Sequence, residues 1–196
     1  FFLRDEFNNA KIHKTFARKV KAILLAFGGT DSNNLTFKIF KKIYPYCVKN
    51  GIFVYVVSGS GYQYIEEFQR YLATLKPGNF EFVFCTGIMS KIMEKVQLGI
   101  SSNGRTVYEL GHMGIPGIVV SHHERENLHR FSSFENGFVN IGVFKSPETE
   151  EHVAVELRKL VEDDKLRTLL FHNTQKHDFS MNKTKVVEKI ERLFQL

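Results

Sequence analysis

Residues 20–26, VKAILLA, form a nearly continuous apolar run that stops at Phe27-Gly28-Gly29-Thr30-Asp31. A strand apolar on both faces belongs in a parallel sheet covered by helices on either side, since a strand with one wet face alternates. The run-then-turn unit recurs along the chain. Leu35, Ile39, Ile43 and Cys47 follow at four-residue spacing, a helical stripe that Pro45 is expected to kink or shorten. Residues 52–57 read as a second strand with Ser58-Gly59-Ser60-Gly61 as its loop. Ile65, Phe68 and Leu72 mark a helix that Pro77-Gly78 closes off.

Residues 80–84 give a third strand, residues 89–95 a helix and residues 98–101 a short fourth strand. After Ser102-Asn103-Gly104 comes a helix with Val107, Leu110 and Met113 on one face, ended by Gly114-Ile115-Pro116. Residues 117–120 form a fifth strand, 124–134 a helix and 138–141 a sixth strand. The rest is helical, with Pro147 in a first turn ahead of Val153, Leu157 and Leu160. Val186, Ile190, Leu193 and Phe194 define a terminal amphipathic helix. The expected fold is α/β: an open six-stranded parallel Rossmann-like sheet with helices on both faces. Such sheets bind ligands at the carboxyl ends of the strands where the strand order reverses. In a 3-2-1-4-5-6 order that place lies between the Gly28-Gly29-Thr30 and Ser102-Asn103-Gly104 loops.

At 196 residues the chain suits one domain, residues 20–196, preceded by a joining segment, residues 1–19. A core of this size needs no metal or disulfide, and Cys47 and Cys85, both within apolar stretches, read as reduced core thiols. No apolar run approaches the roughly 18 residues of a transmembrane helix and no signal peptide is visible, so a cytoplasmic protein is expected. The first residue is Phe, which predicts an excised piece of a longer protein. Much of the net charge of +6 lies in Lys11, Lys14, Arg18, Lys19 and Lys21. Only Phe16 interrupts that run, so it reads as a solvated linker and not as a nucleic-acid surface, which would interleave stacking aromatics.

Both candidate loops put glycine where a strand hands over to a helix. Glycine lets backbone amides approach an anion closely, and a helix N-terminus adds about half a positive charge. Two such loops side by side can hold a pyrophosphate without a lysine. The Gly-x-Gly-x-x-Gly pattern and the acid some twenty residues on that a dinucleotide requires are missing, as is the Walker pattern. No NAD, no other cofactor and no P-loop hydrolysis is therefore expected. Gly99-Ile100-Ser101-Ser102-Asn103 approaches a nucleophile elbow, but Asn103 replaces its last glycine. From spacing alone, Glu109 either reaches a diol beside a bound phosphate or faces solvent. His122, His123 and His129 with Glu124 and Glu126 match no common zinc spacing, so no metal is expected.

Three segments resemble the C-terminal domain of family 28-type glycosyltransferases. The nearest branch contains the UDP-sugar hydrolase of pseudaminic acid biosynthesis and spore-coat polysaccharide proteins. Leu3-Arg4-Asp5-Glu6-Phe7 resembles the segment joining that family's two domains. Residues 23–35, ILLAFGGTDSNNL, resemble its diphosphate loop, and residues 100–120, ISSNGRTVYELGHMGIPGIVV, its second signature. The resemblance implies the C-terminal half of a GT-B architecture, with a catalytic N-terminal half elsewhere and a UDP-linked sugar as substrate. It places Gly28, Gly29 and Thr30 near the diphosphate and makes Ser102, Asn103, Gly104, Arg105 and Thr106 the second phosphate loop. Glu109 would contact the ribose, the segment from Gly87 to Met89 would lie against the base, and Arg125 and Glu126 would lie near the sugar. The family has a Gln-containing pair where this chain has His122-His123-Glu124-Arg125-Glu126, which puts the sugar in doubt. Similar domains occur fused to acylneuraminate-type cytidylyltransferases, and a non-catalytic nucleotide-binding scaffold is a further alternative. No catalytic residue is assigned.

Overall fold

The computed structural model describes residues 3–7, 10, 15–85 and 87–194. At its centre lies β1 (Ala22–Ala26), every residue of which is buried. It pairs in parallel with β2 (Phe53–Ser58) on one side and with β4 (Leu98–Ser102) on the other. Adding β3 (Phe80–Phe84), β5 (Gly117–Ser121) and β6 (Phe138–Val143) gives a six-stranded sheet in the order β3-β2-β1-β4-β5-β6, with every pair parallel. Architecture and strand order are those expected. The reversal falls between β1 and β4.

Alternate residues of β1 feed two separate cores, as a period of two requires. Ile23 and Leu25 pack with Ile39, Phe40 and Ile43 of α1 (Leu35–Lys49) and with Val153 and Leu157 of α6 (Glu148–Glu162). Ala22, Leu24 and Ala26 pack on the other face with Met93 of α3 (Met89–Met93) and with Val107 and Leu110 of α4 (Arg105–His112). Helices α1 and α4 thus cover opposite faces. α2 (Ile65–Leu72) lies over the β2–β3 end, where Phe68 is wholly buried against Phe40 and Phe82. Each such side chain contributes about 1.5–3 kcal/mol when fully buried.

Several boundaries differ from expectation. The first strand starts at Ala22, two residues late. α1 is not shortened by Pro45 but continues past it to Lys49. The missing Pro45 N–H and its ring cost about 3 kcal/mol, which the burial of Ile39, Ile43 and Cys47 on one stripe offsets. The helix expected over 89–95 ends at Met93. The one expected over 124–134 is only α5 (Glu124–Asn127), followed by a 3-10 turn at Phe134–Asn136. Asn103 Nδ2 donates to the backbone carbonyls of Glu126 and His129, both at 3.0 Å, and so ties the segment after α5 to the β4 loop. Cys47 is a core thiol, but Cys85 is exposed, with φ 55°, immediately after β3.

The C-terminal third adds α7 (Asp164–Thr174) and α8 (Asn182–Phe194). Ile190, Leu193 and Phe194 of α8 are exposed. Arg18, Lys19 and Lys21 are exposed as expected, whereas Lys11 and Lys14 lie outside the described residues. Leu3 and Phe7 are buried against the α3–α4 face. No helix among the described residues is long and apolar enough to cross a membrane.

The turn into α1 depends on Asp31, in the left-handed region at φ 42°, whose carboxylate accepts from Leu35 N and Thr36 N, both at 2.8 Å. The side chain is buried. Asp31→Ala is expected to lower stability by about 1–2 kcal/mol, because two helix-terminal N–H groups lose their acceptor. Urea denaturation checks this, and an unchanged midpoint would remove Asp31 from the cap.

Candidate functional site

Three glycine-containing loops meet at the carboxyl ends of β1, β2 and β4. A Cβ added to Gly59 would stand 2.7 Å from the Cα of Gly29, and Gly59 N donates to Gly28 O at 3.3 Å. The β2 loop is therefore packed backbone to backbone against the β1 loop, an approach that any side chain would prevent. Gly28 has φ 83°, and Ser102 Oγ lies 3.7 Å from where its Cβ would be. These contacts join the loops after β1 and β4 across the reversal point.

Beside them opens a cavity of about 240 Å³. Gly28, Gly29, Met89, Arg105, Thr106 and Glu109, all marked from sequence, line it. So do Arg4, Ser58, Gly59 and Cys85, which were not marked as site residues. Glycine spacing announced the β2 loop, but only the folded sheet brings it against Gly29. Nothing in the spacing announces Arg4 or Cys85.

The remaining marked residues sit around this cavity without lining it. Thr30 and Gly87 are exposed on their loops. The Asn103 side chain faces the protein, holding the α5 segment as described above. His129 Nδ1 meets the Asn103 carbonyl at 3.0 Å. Gly104 starts α4, and Ser102 is buried beneath it. Arg125 is exposed on α5. The Glu126 carboxylate accepts from His122 N at 2.5 Å and lies 3.5 Å from where a Gly104 Cβ would stand. His122 itself ties the β5 loop to the β1 loop. Its Nε2 lies 3.2 Å from the Phe27 carbonyl and its Nδ1 3.4 Å from Asn33 Nδ2, so Nε2–H as donor and Nδ1 as acceptor satisfy both contacts. Among the described residues no group of three or more His, Cys, Asp and Glu is arranged to hold a metal.

The two helix starts at the crevice differ. The first N–H groups of α1 are engaged by Asp31, a carboxylate that also opposes the positive end of the helix. α4 starts at Gly104 with no side-chain cap and no acid in its first turn. Its uncapped N–H groups and Arg105 bring partial and full positive charge to that end of the cavity, with the Glu126 carboxylate nearby. Sequence reasoning gave both loops the same role, and the structure separates them: the α1 terminus is already satisfied.

Glu109 does not face solvent. Its side chain is 2% exposed, and Arg4 reaches it through Nε to Oε1 at 2.9 Å and Nη2 to Oε2 at 3.2 Å. Burial pushes the Glu109 carboxyl above the usual range, and the Arg4 guanidinium opposes that shift. The cavity thus holds a helix start without a side-chain cap and a buried carboxylate on one helix, one turn apart.

Comparison with known proteins identifies the fold. No protein-family model matches the chain. An uncharacterized protein of Methanocaldococcus jannaschii is 32% identical over 127 residues, covering 62% of this chain and 26% of that protein. WaaG, a glycosyltransferase involved in lipopolysaccharide biosynthesis, superimposes with TM-score 0.60 at 17% identity, over 87% of this chain and 47% of WaaG. The UDP-GlcNAc 2-epimerase from Neisseria meningitidis, solved with UDP-GlcNAc bound, gives TM-score 0.64 at 13% identity, over 88% of this chain and 45% of its own. The fold is that of one Rossmann-like half of a GT-B architecture. The chain spans less than half the length of each of these relatives.

Gly104 has φ −105° and ψ −146°, and the atoms nearest to an added Cβ are Glu126 Oε1 at 3.5 Å and Ser102 Oγ at 3.7 Å. Gly104→Val is expected to leave the chain folded, at a cost of about 1 kcal/mol. It should weaken pyrophosphate binding at least about tenfold by standing where an anion approaches the α4 amides. Thermal melting and titration calorimetry test the two halves. Unchanged pyrophosphate affinity would remove the α4 terminus from the site.

Proposed function

We propose that this chain is the nucleotide-binding half of a GT-B-type nucleotide-sugar enzyme. The observation that carries this reading is the convergence on one cavity of the uncapped α4 terminus, the Gly28-Gly29 turn and the buried Glu109. In this reading the diphosphate of a UDP-linked sugar sits between Gly28-Gly29 and the start of α4, near Thr30, Ser102 and Gly104. Arg105 and Thr106 face it, Asn103 shapes the loop, and Glu109 accepts from the ribose hydroxyls. Residues 87–89 stand beside the base, with Gly87 on the open side and Met89 forming apolar wall. Arg125 and Glu126, at the rim, are placed toward the sugar.

The UDP-GlcNAc held by the fold-mate from Neisseria meningitidis supports the ligand class, and the WaaG likeness supports a role in glycan synthesis. The chemistry assigned to this half is stabilisation of the departing UDP. Amides fixed at a helix terminus, together with Arg105, meet the charge that grows on the diphosphate as the anomeric bond breaks, at no cost of reorganisation. A second Rossmann-like half would supply the group that activates the acceptor or water and would close the cleft. Transfer of the sugar in bacterial surface-glycan synthesis and hydrolysis of a UDP-sugar, as in the pseudaminic acid branch, both fit this division of labour.

The chain alone is expected to bind UDP with roughly micromolar to millimolar affinity, because a half-cleft leaves much of the ligand in water. It should not turn over UDP-N-acetylhexosamines. Glu109→Ala should weaken UDP binding by about 1.5–3 kcal/mol, roughly 10- to 150-fold, through loss of a charged hydrogen bond. Calorimetry with UDP, CDP, ADP and NAD, alongside a product assay, tests all three statements. Binding of NAD alone would overturn the ligand class, and hydrolysis by this chain would overturn the division of labour.

A further inference from the structure

Arg4 is a cavity-lining side chain contributed by the N-terminal segment, outside the sheet and its helices, and all three of its nitrogens are engaged. Nε and Nη2 fork the two oxygens of Glu109, while Nη1 donates to Glu6 Oε1 at 3.0 Å. The other Glu6 oxygen accepts from Ser90 N at 2.9 Å, at the start of α3 beside Met89. One chain of charged hydrogen bonds therefore runs from α3, through residues 4–6, to the buried carboxylate of α4. The segment has further anchors in buried Leu3 and Phe7 and in Lys183, which donates to Asp5 at 2.7 Å. Arg4 is thus delivered to the cavity by contacts other than its own.

We propose that Arg4 is a positioning residue for nucleoside recognition: its fork fixes the plane of the Glu109 carboxylate so that a vicinal diol can be accepted there. This rests on the reading of Glu109 as the ribose ligand. An ionised carboxylate offers about four acceptor sites, two per oxygen. The fork takes one on each oxygen and leaves one on each, which matches two adjacent hydroxyls. A buried carboxylate without a partner would rotate or hold a proton, and a protonated carboxyl gives up part of this acceptor set. The guanidinium therefore orients the acceptor and keeps it charged where burial opposes charge. A lysine in its place keeps the positive charge but loses the planar fork.

The groups facing Glu109 are Arg4 and Glu6 from the N-terminal segment and Arg105 from its own helix, with the Cys85 thiol across the cavity and neutral Met89 from α3. Arg4 and Arg105 lower the Glu109 pKa, whereas burial and Glu6 raise it. Removing the Arg4 charge leaves burial less opposed, so Glu109 retains its proton to higher pH.

Calorimetric titration of wild type, R4K, E109Q and R4K/E109Q with UDP and with inorganic pyrophosphate tests the proposal. Pyrophosphate carries the anion without the ribose. R4K is expected to bind UDP about tenfold more weakly, with pyrophosphate affinity within about twofold of wild type because the charge is retained. In the E109Q background R4K should add no further loss, since it acts through that carboxylate. In R4M, the ratio of UDP to pyrophosphate affinity should begin to fall at a higher pH than in wild type as the solution is acidified. Losses that add in full, equal loss of both ligands in R4K, or an unshifted pH profile would each overturn the role of Arg4 while leaving the nucleotide site standing. Wild type that binds pyrophosphate but not UDP would overturn the ribose reading and this proposal with it.

Discussion

Burial of the central strands on both faces governs the rest of this molecule. Every residue of β1, β4 and β5 is buried, so their amides and carbonyls are consumed in the ladders and their side chains in the two cores. Polar chemistry is thereby driven to the strand ends. The loops leaving β1 and β4 lead to α1 and α4, which cover opposite faces of the sheet. Neighbouring strands whose helices depart in opposite directions cannot close the space above them. That divergence makes the crevice, and the close approach of Gly59 to Gly29 defines one of its walls.

Within the crevice, two helix starts of similar sequence character are satisfied differently. Asp31 fills the amides of α1 with a carboxylate and offsets the helix dipole there. At α4 the N-cap is a glycine with no side-chain cap, and the Glu126 carboxylate lies 3.5 Å from where a Gly104 Cβ would stand. Glu109 belongs to the same helix but lies deeper, and its charge is held in place by Arg4 and not by solvent. The cavity thus has the start of α4 at one part and a buried, paired carboxylate at another.

The segment at residues 3–7 has a structural place of its own. With Leu3 and Phe7 buried, it completes the core on the α3–α4 face. Its polar side chains join α3, α4 and α8 through Ser90, Glu109 and Lys183. A short stretch of chain with no strand or long helix thus carries one of the most connected ionic groups of the cavity.

Period and punctuation in the sequence were enough for the parallel sheet, its strand order and the place where it opens. Apolar runs, four-residue stripes and glycine turns are local signals, and the handedness of strand–helix–strand units leaves few ways to connect them. Gly28 and Gly29 were legible as a turn at the reversal point for the same reason, whereas Arg105 and Thr106 were marked only through the family resemblance and spacing left Glu109 open between the crevice and solvent. Contacts across tens of residues were not legible. The Arg4–Glu109 pair, the Gly59–Gly29 approach, the Asn103 side chain that holds the α5 segment and the exposure of Cys85 leave no periodic trace. A single side chain reaching across a fold has no spacing to read. Sequence determined where the sheet opens; tertiary structure decided which helix end has its first amides filled and which carboxylate is paired, because both depend on partners brought together only when the sheet is assembled.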